Sequence, residues 1–141
     1  MCIRDRRSKV LYETDNRFVL KDTDRLKEYL FSLYADTIAE RAYILFLNKG
    51  FRLIKYELIC EGSIDEVYLD IKMAVRRALM NHAAYVVLTH NHPSGLVFPS
   101  DSDIISTREL SEALNTVKIG FWDHVIVGGN QYYSFRESRN Y

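Results

Sequence analysis

A chain of 141 residues is the length of one domain, and 48% hydrophobic against 27% charged residues is the balance of a globular protein. Lysine plus arginine equals aspartate plus glutamate, 19 each, so no overall field draws the chain to nucleic acid or to an anionic membrane. Cys2 and Cys60 form no C-x-x-C pair, which excludes a cysteine zinc site or disulfide framework and points to a reducing cytoplasm.

In chain order, Val10 to Tyr12 and Phe18 to Leu20 flank Asp15-Asn16 and read as a weak hairpin. A helix follows, with Thr23 or Asp24 as cap and Leu26, Tyr29, Leu30, Leu33, Tyr34 and Ile38 at helical spacing; it is expected to reach about Glu40. Ala42 to Leu47 and Phe51 to Cys60 read as strands joined by Asn48-Lys49-Gly50, and Glu61-Gly62-Ser63 ends the second. A helix is expected from about Val67 to Asn81, with Ile71, Ala74, Val75, Ala78 and Leu79 on one face and Arg76 and Arg77 on a solvated one. His82 beside Asn81 reads as a favourable charge or cap at its C-terminus.

Ala83 to His90 is an apolar run of strand length, consistent with burial on both faces. The only prolines, Pro93 and Pro99, punctuate one loop over residues 91 to 99. A third helix is expected over Asp101 to Val117, closed by Gly120; Trp122 to Val127 and Gln131 to Phe135 then flank the hairpin signal Gly128-Gly129-Asn130. The pattern predicts an α/β fold in which one sheet carries helices packed on its faces. The longest apolar runs are far shorter than a membrane span, and the charged N-terminus lacks the apolar stretch of a secretory signal.

The chemistry is concentrated between His90 and Asp103. Two histidines two residues apart at a strand end project to the same side, so both imidazoles can reach one ion. Asp103 falls in the first turn of the next helix, where it can point back toward them. Two nitrogens and a carboxylate oxygen suit zinc and leave a fourth tetrahedral position for water, as in catalytic rather than structural sites. Ser100 and Asp103 also stand at the spacing of a capping box, an alternative reading of the same pair. A cytidine-deaminase reading fails, because neither H-x-E nor P-C-x-x-C is present. His124 reads as a packed strand histidine or a group holding a ligand rather than as a fourth ligand.

His90-x-His92-Pro93 followed by Ser100-x-x-Asp103 resembles the JAMM (MPN+) metalloprotease motif. The form His-Asn-His-Pro-Ser-Gly, with Asp123-His124-Val125-Ile126-Val127-Gly128, Glu61-Gly62-Ser63-Ile64-Asp65 and Ser134-Phe135-Arg136-Glu137, resembles the RadC family of bacterial JAB-domain proteins. The resemblance covers residues 23–137, leaving 1–22 as a tail with a short hairpin and 138–141 as a C-terminal tail. It implies a single-domain JAB/MPN-like, cytidine-deaminase-like mixed sheet. It also implies zinc held by His90, His92 and Asp103, a Ser100 hydroxyl that stabilises an oxyanion, and an upstream glutamate as general base. In RadC relatives that glutamate immediately precedes the first long strand, which is Glu40 here; Glu61 is the alternative.

The implied activity is hydrolysis of a peptide or isopeptide bond in a protein or peptide substrate by a zinc-activated water. The competing reading is a non-catalytic accessory protein of DNA repair or mobile-element maintenance, which the charge balance does not favour. Two departures stand out. Leu96-Val97-Phe98 follows the glycine where relatives often carry a polar, commonly acidic, residue, and apolar side chains there suit a substrate groove or a partner. Longer members also bear a helix-hairpin-helix region ahead of the JAB domain, which the roughly 22 residues before the first helix do not accommodate.

Overall fold

A computed structural model describes residues 18–61 and 69–138. Helix α1 spans Thr23–Tyr34 and is followed by strands β1 (Arg41–Leu47) and β2 (Leu53–Glu61). Helix α2 (Ile71–Met80) leads into β3 (Tyr85–Asn91), and α3 (Asp101–Thr116) leads into β4 (Gly120–Gly128). Strand β5 (Gln131–Ser134) and the short α4 (Phe135–Ser138) complete the described chain.

The five strands form one mixed sheet in the order β2-β1-β3-β4-β5. Only β3 and β4 pair in parallel, and α3 supplies the crossover that such a pair needs. Side chains alternate between the two faces. On one face, Leu26, Leu30 and Tyr34 of α1 bury against Tyr43, Leu45, Leu47, Val87 and Val125. On the other, Ala74 and Ala78 of α2 and Leu110 and Leu114 of α3 bury against Ile44, Phe46, Val86 and Leu88. The architecture is therefore a sheet covered on both faces, as the pattern predicts. No helix among the described residues is long and apolar enough to cross a membrane.

The differences from expectation have local causes. Asp22, not Thr23 or Asp24, caps α1, its carboxylate accepting from the Arg25 amide at 2.9 Å. The helix stops at Tyr34, whose hydroxyl donates to Thr89 on the sheet at 3.2 Å, so the chain leaves the helix there to enter β1. Ile38 continues the helical period yet is 94% exposed. Val10 to Tyr12 of the expected hairpin lie outside the described residues; Val19 bridges Arg52.

Residues 67 and 68 lie outside the described part, and α2 begins at Ile71 with Asp70 as its cap; Leu79 is 50% exposed rather than part of its buried face. Arg77 is not simply solvated, since it pairs with Glu57 at 3.2 Å. His82 takes a positive φ of 52° after α2, its amide donating to the Leu79 carbonyl, a backbone cap. Helix α3 ends through Lys118, which has φ 65°, while Gly120 opens β4 because a Cβ there would meet the Tyr85 ring at 2.6 Å. Phe135 begins α4 instead of ending β5.

One close approach ties the sheet to the loop after β3. A Cβ on Gly128 would lie 2.9 Å from the Gly95 carbonyl group and from Val97. Because backbone cannot retreat as a flexible side chain can, Gly128→Ala is expected to destabilise the fold by about 1–3 kcal/mol, read as a lowered denaturant midpoint; an unchanged midpoint would show that the loop yields freely.

Candidate metal centre

The centre forms at the C-terminal end of the parallel strand β3, where the chain turns into α3. The apolar face of β3 reads Val86, Leu88 and then His90, so His90 is buried as the next inward residue of a core strand. His92 extends the pairing with β4, its amide donating to the Val127 carbonyl at 2.7 Å. Ser100 caps α3 and forms a complete capping box with Asp103. The two readings of that pair coexist: Asp103 Oδ2 accepts from the Ser100 amide at 2.9 Å and stands 3.6 Å from His90 Nε2. The ligating atoms of His90, His92 and Asp103 all lie within 4.8 Å of one another.

The hydrogen bonds around the histidines assign their tautomers. Thr107 has one hydroxyl proton, and the Asp103 carbonyl 2.7 Å away can only accept it. The Thr107 oxygen therefore accepts from His124, which carries its proton on Nδ1. His124 Nε2 is left with a lone pair and accepts from His90 Nδ1 at 2.9 Å. On a neutral His90 ring Nε2 is thus unprotonated, and a proton added there charges the ring and pairs it with Asp103 3.6 Å away. His92 reaches the same state separately, since its Nδ1 lies 2.7 Å from the Leu96 carbonyl and must donate to it.

With both rings neutral, two lone pairs face each other across 3.0 Å, between His90 Nε2 and His92 Nε2. That arrangement is repulsive unless a cation lies between them, and the adjacent Asp103 carboxylate adds negative charge. Burial works to raise the Asp103 carboxyl, but hydrogen bonding and attraction to His90 bring it well below the usual carboxylate range. Burial, followed by the neighbouring His90, pushes His124 well below the ordinary histidine value, so it stays neutral as the relay requires. Nitrogens held by zinc at 2.0–2.1 Å in a tetrahedron stand about 3.3 Å apart. The pair therefore needs to open by only a few tenths of an ångström, and the donor set fits the ion.

Glu40 immediately precedes β1, and Glu61 ends β2 as the cross-strand partner of Arg41, on the face opposite Ala42 and His90. Burial, and after it the charges of Glu40 and Glu61, push the Cys60 thiol up. Cys60 pairs with Ala42, and Ala42 with His90, so continuing the strand alternation backward puts Glu40 on the His90 face. Glu61 is held by Arg41, whose Nε and Nη2 both stand 3.0 Å from its Oε1. The backbone at Glu40 is clamped by Asn91, the residue between the two histidines. Asn91 Oδ1 accepts from the Arg41 amide at 2.7 Å, and its Nδ2 donates to the Ala39 carbonyl at 3.1 Å. Both peptide groups flanking Glu40 are thereby fixed to β3.

Sequence pattern assigns no role to Asn91, which stands only as a letter of His-Asn-His-Pro-Ser-Gly, or to Thr107. Thr107 had a detectable signal, because it lies four residues beyond Asp103 on one helix and shares its face. Asn91 had only its place at the end of a buried strand, where an amide must find partners.

A model of the RadC-like JAB domain matches residues 20–140, and the chain belongs to that family. A UPF0758 protein of Vibrio campbellii (strain ATCC BAA-1116) is 41% identical over 118 residues, 84% of this chain and 53% of that protein. One of Vibrio atlanticus (strain LGP32) is 42% identical over the same shares. The UPF0758 protein YeeS of Escherichia coli (strain K12) is 42% identical over 115 residues, 82% of this chain and 78% of that protein. The chain spans about half the length of the Vibrio relatives.

The proton relay yields a test. Thr107→Val removes the acceptor that fixes His124, and zinc affinity is expected to fall about 10- to 100-fold, whereas Thr107→Ser keeps it. Competition against a chromogenic chelator measures this; a Thr107→Val chain that holds zinc as tightly as wild type would sink the tautomer assignment.

Proposed function

We propose that this chain is a zinc-dependent hydrolase of the JAMM type that cleaves a peptide or isopeptide bond in a protein or peptide substrate. The observation that carries the reading is the pair of imidazole Nε2 atoms 3.0 Å apart beside the Asp103 carboxylate, three donor atoms converging on one point. His90, His92 and Asp103 would hold zinc, which when bound supplies a water of pKa about 7 and polarises a carbonyl. The family membership supports the same class of chemistry.

Glu40 takes the proton of the attacking water and passes it to the leaving amine; Glu61, engaged by Arg41, is the poorer base. Asn91 ties the backbone on both sides of Glu40 to the end of the strand that carries His90. The Ser100 oxygen accepts from the Asp103 amide at 3.1 Å, which leaves its O–H to donate to the substrate carbonyl oxygen as charge develops there. A nucleic-acid role draws little support, since Arg77 of the Arg76-Arg77 pair is neutralised by Glu57. We place the reaction in the cytoplasm, on the absence of disulfide chemistry in the sequence.

Two measurements test this. Elemental analysis of the purified chain is expected to find about one zinc per molecule, lost in a His90→Ala/His92→Ala variant; a folded wild type with no tightly bound metal would remove the enzyme reading. Glu40→Gln is expected to keep its zinc and lose about 10²- to 10⁴-fold in amide hydrolysis. Retention of full activity in that variant would transfer the base role elsewhere, with Glu61→Gln as the next candidate.

A further inference from the structure

Beside the metal centre, on the side of β2 and α2, lies a cavity of about 180 Å³. His90 and Asp103 form one wall, and Ile59, Leu69, Met73 and Leu88 supply an apolar lining among the described residues. Buried Leu88 and His90 make its floor, while the exposed residues Asp70 and Ser102 mark its solvent side. We propose that this cavity is a specificity pocket that receives one unbranched-to-branched aliphatic side chain, of leucine or methionine size, from a residue adjoining the bond to be cleaved. The inference rests on the hydrolase reading and names its substrate class.

Three observations carry it. The volume is that of a single medium side chain, close to the roughly 150 Å³ of an apolar cavity that takes up benzene. The lining holds no lysine or arginine among the described residues, and its carboxylates stand at the solvent side (Asp70) and in the metal centre (Asp103), so the wall of Ile59, Leu69, Met73 and Leu88 is left to apolar contact. Finally, the cavity is continuous with the metal centre, because His90 and Asp103 belong to both. A side chain seated there has its own backbone carbonyl within reach of the ligand cluster. On the α1 side of the sheet, a separate groove of about 520 Å³ includes His92, Asn91 and the exposed Ile38.

Hydroxamates separate the pocket from the metal. Titrated into the zinc-loaded chain, 4-methylpentanohydroxamate is expected to bind roughly 10- to 100-fold more tightly than acetohydroxamate, and the monohydroxamate of succinic acid no more tightly. Met73→Trp, which fills the cavity, is expected to abolish the gain and leave acetohydroxamate binding unchanged; Leu69→Trp serves if that variant misfolds. Equal binding of the aliphatic and acetyl compounds, or an undiminished gain in the filled variants, would overturn the pocket. A second arm needs no metal: N-acetylleucine amide should shift the Met73 methyl resonance of the zinc-free chain, and N-acetylaspartate amide should not. Failure of every hydroxamate with a positive second arm would refute the hydrolase reading while the cavity's preference stands. Silence in both the aliphatic gain and the second arm would refute the pocket.

Discussion

The direction of one hydrogen bond governs the candidate centre. Thr107 gives its one proton to the Asp103 carbonyl of its own helix, and that direction propagates through His124 to leave the inner nitrogen of a neutral His90 bare. The relay needs three elements in register. Leu88 lies opposite His124 in the β3–β4 ladder, which brings His124 next to His90 on one face, while α3 lays Thr107 over them. A slip of one residue between the strands would turn His124 to the opposite face and break the chain of protons. The parallel pairing therefore does more than bury apolar surface: it sets which atoms are donors.

The same sheet sorts two acidic residues that are otherwise alike. Arg41 and Glu61 are cross-strand partners, so one carboxylate is neutralised by geometry. Glu40, a residue earlier, is carried by a backbone whose flanking peptides are tied to Asn91. Because β1 lies between β2 and β3, both outcomes follow from the position of a single strand in the order.

What the sequence discloses here follows the distance over which each feature is encoded. His90, His92, Ser100 and Asp103 lie within one short stretch, where strand and helix periodicity suffice to bring them together. Strands β1 and β3 declare themselves as apolar runs because both of their faces are covered. Asn91, by contrast, acts on residues 50 and 52 positions away, and only the antiparallel β1–β3 pairing makes that visible. The end of α1 is hidden for a similar reason. Ile38 keeps the helical period, but the tie between Tyr34 and Thr89, 55 positions apart, accompanies the turn out of the helix. At the start of α1, Asp22, Thr23 and Asp24 are all chemically able to cap, and the backbone alone chooses among them.

The loop after β3 holds His92 through a backbone atom, the Leu96 carbonyl, while the Leu96 and Phe98 side chains stand 67% and 76% exposed. Any residue at position 96 brings the same carbonyl. The outward face of this loop is thus free to be rewritten, residue by residue, without disturbing the imidazole it steadies. A fold arranged this way can acquire new partners by surface drift while its chemistry is inherited intact.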